Sequence, residues 1–352
     1  MRSLLRPAID GIAEYTLDRR ECRIKLNQNE NPFDLPDEVR NEVLRRVAAV
    51  HWSRYPEFVP RRQMERVAEF TGWTADGVLL GNGSNDLLQL LFTCALEAGR
   101  GVVINQPTFT LYRLLAEAVG APVYDVPMTR TFTLDAGAVI DAANANGAAM
   151  LVLCSPNNPT GGQIPLPELE RILRETEALV VVDEAYVQFS GFSAVSLLKR
   201  YERLVVLQTF SKAMGAAGLR FGYALLSPAL ARQLSKVKLP YSVNIFTLIA
   251  AEVFIERWDS LKSWIGVLVS ERERIFSALG SMDGIRPYRS DANFLLFETL
   301  RRTPAEVFSA LLARGILIRD VSRYPMLERG LRVSVGTPAE NDEFINALRE
   351  AV

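Results

Sequence analysis

From about residue 78 to residue 226, short apolar runs alternate with amphipathic stretches, and this alternation limits the possible folds more than any other feature of the chain. The runs are Val78-Leu80, Val102-Ile104, Val123-Val126, Ala149-Cys154, Leu179-Val182, Leu204-Leu207 and Phe221-Leu226. Most are apolar throughout and rich in β-branched residues, as strands buried on both faces require. Between them lie helical patterns such as Asp86-Leu96 and Pro167-Glu177. Strands alternating with helices predict an α/β unit with a mostly parallel central sheet and helices on both sides.

The texture changes after about residue 240. Val243 to Leu279 reads as a long, mostly helical stretch. Strand-like Phe294-Phe297, Ile316-Ile318 and Leu331-Val335 then mix with helical patterns at Pro304-Arg314 and Pro338-Glu350. This predicts a smaller α+β C-terminal domain. The expected division is an arm of residues 1–30, a large α/β domain of residues 31–242 and a small domain of residues 243–352. The arm has too little apolar periodicity for a core of its own, and must pack on other parts or on a partner.

Composition mainly removes possibilities. Lys plus Arg is 40 and Asp plus Glu is 41, so no basic excess points to nucleic acid or an anionic membrane. Cys22, Cys94 and Cys154 are scattered and odd in number, which fits a reducing cytoplasm and no disulfide framework. Pro7, Asp10 and Gly11 interrupt any secretory h-region, and no apolar run approaches the about 18 residues of a membrane span. A single histidine, His51, excludes a multi-histidine metal site, so no metal is expected, and it makes a histidine general base a poor expectation.

Four polar groups fall just past the carboxyl ends of predicted parallel strands, the edge where open α/β sheets bind ligands. They are Gly81-Asn82-Gly83-Ser84-Asn85, Asn157-Asn158-Pro159-Thr160-Gly161, Asp183-Glu184-Ala185-Tyr186 and Ser211-Lys212. A lysine leaving a buried strand, as Lys212 does, can be partly desolvated, which lowers its pKa and favours Schiff-base chemistry. Asp183 ends an apolar run, where a carboxylate needs a cation or several donors. A pyridinium nitrogen would serve, and so would backbone amides; the sequence leaves both open. Gly83-Ser84-Asn85 opens a predicted helix, whose free amides and dipole favour a phosphate, although an ordinary glycine turn with a polar N-cap has the same pattern. Arg220 can add positive charge there.

In order and spacing, Ser155-Pro156-Asn157-Asn158-Pro159-Thr160-Gly161, Asp183-Glu184-Ala185-Tyr186 and the stretch from Ser211 to Tyr223 resemble the fold-type I, pyridoxal-phosphate-dependent aminotransferases. The segments Leu26-Asn27-Gln28-Asn29-Glu30-Asn31-Pro32, Arg54-Tyr55-Pro56-Glu57, Ile318-Arg319-Asp320 and Leu331 to Thr337 are similar to its histidinol-phosphate branch. The resemblance implies a homodimer with active sites at the interface, and amino transfer between histidinol phosphate and glutamate or 2-oxoglutarate in histidine biosynthesis. It implies Lys212 as the covalent anchor and proton carrier, and Asp183 as the partner of the pyridine nitrogen. It gives Asn158 and Tyr186 to the ring hydroxyl, and Ser84, Asn85, Ser211 and Arg220 to the phosphate. Phe109 would stack on the ring and Tyr55 would reach the phosphate across the dimer. Arg332 would take the substrate carboxylate, with Arg319, Tyr15 and Asn29 near the substrate. Two departures stand out: Phe109 replaces the usual tyrosine, and Ser84-Asn85-Asp86 replaces the commoner Ser-Asp-Glu. An aromatic-amino-acid aminotransferase and a threonine-phosphate decarboxylase remain alternatives on the same scaffold.

Overall fold

The computed structural model describes residues 4–13 and 20–352. A short strand, β1 (Ile24–Lys25), precedes the helices Asp37–Ala48 and Arg61–Thr71. The central sheet comprises β2 (Val78–Asn82), β3 (Val102–Gln106), β4 (Val123–Pro127), β5 (Met150–Cys154), β6 (Leu179–Asp183), β7 (Leu204–Thr209) and β8 (Phe221–Leu226). Their spatial order is β2-β8-β7-β6-β5-β3-β4. Strands β3 to β7 pair in parallel, while β8 is antiparallel to both β7 and β2. Strand β2 therefore points the same way as β3 to β7, and β8 is the one reversed member of the sheet.

Side chains alternate across a strand, and the core divides accordingly. Leu151, Leu153, Val180, Val182, Leu204 and Val206 pack into one layer. Met150, Val152, Cys154, Val181, Val205 and Leu207 pack into the other. Each such side chain removed from water contributes roughly 1.5–3 kcal/mol before entropy is counted. The helix expected over Pro167-Glu177 runs Leu166–Glu175, with Leu169, Ile172 and Leu173 buried at helical spacing. It stops at Thr176, which turns extended and returns its Oγ1 to the Ile172 carbonyl at 2.8 Å.

The long helical stretch is three helices, Ile245–Glu256, Trp258–Leu261 and Ser263–Gly280. Beyond it lie β9 (Ile285–Pro287), β10 (Phe294–Thr299), β11 (Ile316–Leu317), β12 (Arg319–Asp320) and β13 (Gly330–Ser334). An antiparallel sheet of order β12-β13-β10-β9 forms there. The helices Pro304–Ala313 and Pro338–Ala351 open with capping boxes, Thr303 with Glu306 and Thr337 with Glu340. They bury Val307, Leu311, Phe344 and Leu348 against this second sheet. Strand β1 pairs in parallel with β11. The Leu26 N–H donates to the Leu317 carbonyl at 2.7 Å, and the Leu26 carbonyl accepts from the Ser334 N–H at 2.9 Å. This threading delivers residues 27–29 to the junction of the two sheets. Among the described residues, no helix is long and apolar enough to cross a membrane.

Candidate active site

Because β2, β5, β6 and β7 share a direction, their carboxyl ends deliver Ser84, Asn158, Asp183 and Lys212 to one edge of the sheet. A cavity of about 280 Å³ lies there. Its walls include Asn29, Ser84, Asn85, Phe109, Asn158, Asp183, Tyr186, Ser211, Lys212, Arg220, Arg319 and Arg332. Tyr55 is elsewhere: it is 79% exposed and stacks on Tyr241 with ring centroids 4.6 Å apart. Tyr15 lies outside the described residues.

The Lys212 Nζ donates to the Gln28 carbonyl at 2.9 Å and sits 5.8 Å from the centre of the Tyr186 ring. Burial first, and then the guanidinium of Arg332, bring its pKa down to about 8. Arg220 adds to the fall, while Glu30 and Asp183 oppose it. A neutral amine is the nucleophile. Covalent capture of pyridoxal phosphate by cofactor-free protein is therefore expected to speed up as pH rises through about 8 and to level off above it. A stopped-flow pH series checks this; a rate still climbing steeply from pH 9 to the ordinary lysine range near 10.4 contradicts it.

Asp183 is 4% exposed. Its Oδ2 accepts from the Tyr112 hydroxyl at 2.8 Å and its Oδ1 from the Ala185 N–H at 3.1 Å. Burial pushes its pKa up, and those two donors together with the Lys212 charge pull it down. Both readings of Asp183 left open by the sequence thus have a basis: a backbone amide is used, and the Lys212 charge reaches the carboxylate without an ion pair between them among the described residues. The next carboxylate, Glu184, faces away from this chemistry. Its burial is met by donors from Ser193, the Ala194 N–H and Gln208 at 2.6, 2.6 and 2.7 Å.

The helix Ser84–Ala95 starts at Gly83, which has a left-handed φ of 78° and supplies no side-chain cap. Its first-turn amides remain available to an anion. A Cβ at Gly83 would lie 2.4 Å from the Arg220 Nη2, and one at Gly222 would lie 2.3 Å from the Ser84 nitrogen. Only glycine at both places lets strand β8, Arg220 and the helix start approach so closely. The Arg220 Nη1 also donates to the Ser211 Oγ at 3.2 Å.

Opposite the sheet edge, Arg332 on β13 donates through Nη1 to the Asn158 Oδ1 and through Nη2 to the Asn27 carbonyl. Arg319 on β12 is its cross-strand partner. Both side chains line the cavity. The arm joins the same network. The Asn29 Nδ2 donates to the Tyr186 hydroxyl at 3.1 Å, and its backbone N–H donates to the Ser334 Oγ at 2.8 Å. Burial raises the Tyr186 phenol pKa, which keeps the phenol protonated.

The wall residues that the sequence did not mark as functional include Asn27, Tyr112 and Tyr324. Asn27 is buried, and neither its Oδ1 nor its Nδ2 has a hydrogen-bond partner among the described residues. Such an orphaned amide costs about 1–3 kcal/mol unless a ligand or water meets it. Tyr112 follows Phe109 by three residues, and their rings meet edge to face.

These residues fit pyridoxal phosphate. The helix start, Ser211 and Arg220 form a phosphate cradle that a Cβ would fill. A buried carboxylate with no ion pair among the described residues suits a ring N–H, and the Lys212 amine lines the same space.

Comparison with known proteins bears on the whole chain. Residues 22–348 match the family model described as aminotransferase class I and II. A histidinol-phosphate aminotransferase of Chlorobium luteolum is 38% identical over 350 residues, covering 99% of this chain and 98% of the relative. Another of that name, from Chlorobaculum tepidum, is 39% identical over 349 residues, covering 99% and 100%. In the solved structures, histidinol-phosphate aminotransferase from Sinorhizobium meliloti in complex with pyridoxal-5'-phosphate superposes with a TM-score of 0.89 at 23% identity, covering 99% of this chain and 97% of that one. The fold, the convergent site and the full-length match together show that this chain belongs to the class I and II aminotransferase family.

Proposed function

We propose that the chain transfers an amino group between L-histidinol phosphate and 2-oxoglutarate, giving imidazole acetol phosphate and L-glutamate, as a step of histidine biosynthesis. The observation that carries this reading is the meeting, in one cavity, of a lysine with a lowered pKa, a buried carboxylate and two arginines paired across β12 and β13. The name shared by relatives 36–39% identical over nearly the full chain supports the choice of substrate.

In this reading the cofactor is pyridoxal phosphate. When bound, it supplies the electron sink for the carbanion left by loss of the substrate's α-proton. Lys212 anchors it, and the Lys212 Nζ then carries that proton. Asp183 holds positive charge on the ring nitrogen. Asn158 and Tyr186 fix the ring hydroxyl, Phe109 supplies an apolar face for the ring, and Ser84, Asn85, Ser211 and Arg220 hold the phosphate. Arg332 takes the carboxylate of glutamate. Arg319, with Tyr15 and Asn29, serves the end of the substrate that carries phosphate or the second carboxylate. A guanidinium fork suits both anions, so one pocket can serve both substrates in turn.

The reading includes a homodimer with active sites at its interface, each receiving Tyr55 from the other subunit. Trp52, Tyr55, Phe58, Tyr241 and Phe246 are all exposed on the single chain, Trp52 in ring contact with Phe246 and both Tyr55 and Phe58 with Tyr241, apolar surface of the kind that marks an interface. Sedimentation at twice the 39.2 kDa chain mass supports it; a monomer at working concentration removes it. It also includes a three-part organisation (arm 1–30, body 31–242, small domain 243–352) and a cytoplasmic setting, the latter supported by three free thiols, Cys22, Cys94 and Cys154.

The deciding experiment compares kcat/KM for L-histidinol phosphate, L-phenylalanine and threonine phosphate with 2-oxoglutarate in excess. A preference for histidinol phosphate supports the proposal. A preference for phenylalanine, or release of carbon dioxide from threonine phosphate, replaces it with one of the alternatives. Arg332→Ala is expected to raise KM for glutamate roughly ten- to a hundredfold, the scale of a lost hydrogen bond to a charged group. Affinity for pyridoxal phosphate should change far less. An unchanged glutamate KM takes the carboxylate role from Arg332.

A further inference from the structure

The buried phenol of Tyr112 has no part in the roles assigned above. It is fully buried, and its helix begins one residue earlier, at Leu111. Its hydroxyl has one proton, and that proton points at the Asp183 Oδ2, 2.8 Å away. Its ring stands edge-on to Phe109, with centroids 5.6 Å apart and planes at 90°. One residue therefore touches both the carboxylate at the end of β6 and the aromatic face over the cavity.

We propose that Tyr112 is a positioning residue: its hydroxyl orients the Asp183 carboxylate and keeps it charged, so that Asp183 can hold a proton on the ring nitrogen of the bound cofactor. The inference rests on the proposed pyridoxal-phosphate chemistry and adds a residue to it.

The surroundings of Asp183 explain why such a donor is needed. Burial is the largest influence on this carboxyl and drives it toward the neutral form. A neutral Asp183 cannot balance a pyridinium. Two donors counter the burial, Tyr112 on one oxygen and the Ala185 N–H on the other. The backbone donor is fixed by the chain and Lys212 acts only through its charge, so Tyr112 is the side-chain hydrogen-bond donor on which the charge state depends. A hydrogen bond to an ionised acceptor is shorter and stronger than a neutral one. The phenol itself stays protonated, because burial and then the Asp183 charge raise its pKa well above the ordinary value. Cys154, the cross-strand neighbour of Asp183, is also within hydrogen-bond reach of the Tyr112 hydroxyl, but as a neutral thiol it is a weaker acceptor than the carboxylate. Burial pushes its thiol up to about 12, and its Sγ turns to the Pro156 carbonyl at 3.4 Å. Tyr112 is thus a donor over the whole working range of pH and exchanges no proton with substrate.

Tyr112→Phe keeps the ring and its packing and removes only the hydroxyl. The protein is loaded with pyridoxal phosphate labelled with nitrogen-15 in the ring, and the ring-nitrogen chemical shift is read with the cofactor bound. We expect a pyridinium shift in the wild type and a move toward neutral pyridine in the variant. The dissociation constant for pyridoxal phosphate should rise about tenfold. The kcat should fall roughly ten- to a hundredfold with KM for the amino donor nearly unchanged, the scale of one hydrogen bond to a charged group. Tyr112→His, which returns an N–H donor, should recover part of the shift. A Tyr112→Phe protein with the wild-type ring-nitrogen shift and wild-type kcat overturns the proposal and leaves the proposed function intact. A wild-type protein that shows no covalent visible band with pyridoxal phosphate overturns both.

Discussion

Replacing Lys212 with alanine is expected to lower turnover by at least about ten-thousandfold while leaving a folded protein that still binds pyridoxal phosphate without a covalent bond. Two roles end at once, anchoring the cofactor and carrying the α-proton, and general acid-base transfer alone accounts for about a hundred- to ten-thousandfold. The fold should tolerate the change. The amine makes a single hydrogen bond, to the Gln28 carbonyl, and burial already disfavours its charged form. Removing it also relieves repulsion from Arg332 and Arg220. The measurement is kcat beside the visible spectrum and loss of cofactor on dialysis. Wild-type turnover in Lys212→Ala contradicts the assignment outright.

The second large effect is expected at Asp183. Asp183→Asn keeps the shape of the side chain and an oxygen able to accept from Tyr112, but removes the charge. A positive ring nitrogen then loses its counter-charge in a water-poor site, where such electrostatic contributions are worth about 2.7–4 kcal/mol. The kcat should fall roughly a hundred- to a thousandfold. KM for the amino donor should change little, because Asp183 lies at the sheet edge and the arginines lie opposite on β12 and β13. A fall of less than about threefold in kcat, with cofactor fully bound, removes Asp183 from the electron-sink role. The two variants also differ in kind. Lys212→Ala abolishes the covalent visible band, whereas Asp183→Asn keeps it and slows the chemistry behind it.

Much of the large sheet was legible because its strands are buried on both faces. Runs such as Met150–Cys154 and Leu204–Leu207 carry almost no polar side chains, so composition alone marks them. The carboxyl-edge position of Asn158, Asp183 and Lys212 followed directly. The reversal of β8 was not legible, because Phe221–Leu226 is as apolar as its parallel neighbours and direction leaves no trace in composition. The pairing of β1 with β11 joins residues nearly three hundred positions apart through two residues on each strand, too short for any periodicity. Strand β9, of three residues with only Ile285 buried, is hidden for the same reason.

The site shows a similar division. Residues in local motifs were found, while those that act through distant contacts were not. Tyr112 resembles any core aromatic until Asp183, 71 positions later, is placed against its hydroxyl. Asn27 resembles the other asparagines of its segment, and only the structure shows its amide buried and unmet. Tyr55 shows the opposite limit: a residue singled out by motif stands on an exposed surface of the single chain.

The most direct test of the account is the half-reaction. Purified protein loaded with pyridoxal phosphate is mixed with one equivalent of L-histidinol phosphate without an acceptor, and the visible band is followed. The band is expected to bleach as imidazole acetol phosphate forms, and 2-oxoglutarate to restore it with one equivalent of glutamate. A band unmoved by histidinol phosphate but bleached by phenylalanine, or carbon dioxide released from threonine phosphate, contradicts the proposed reaction.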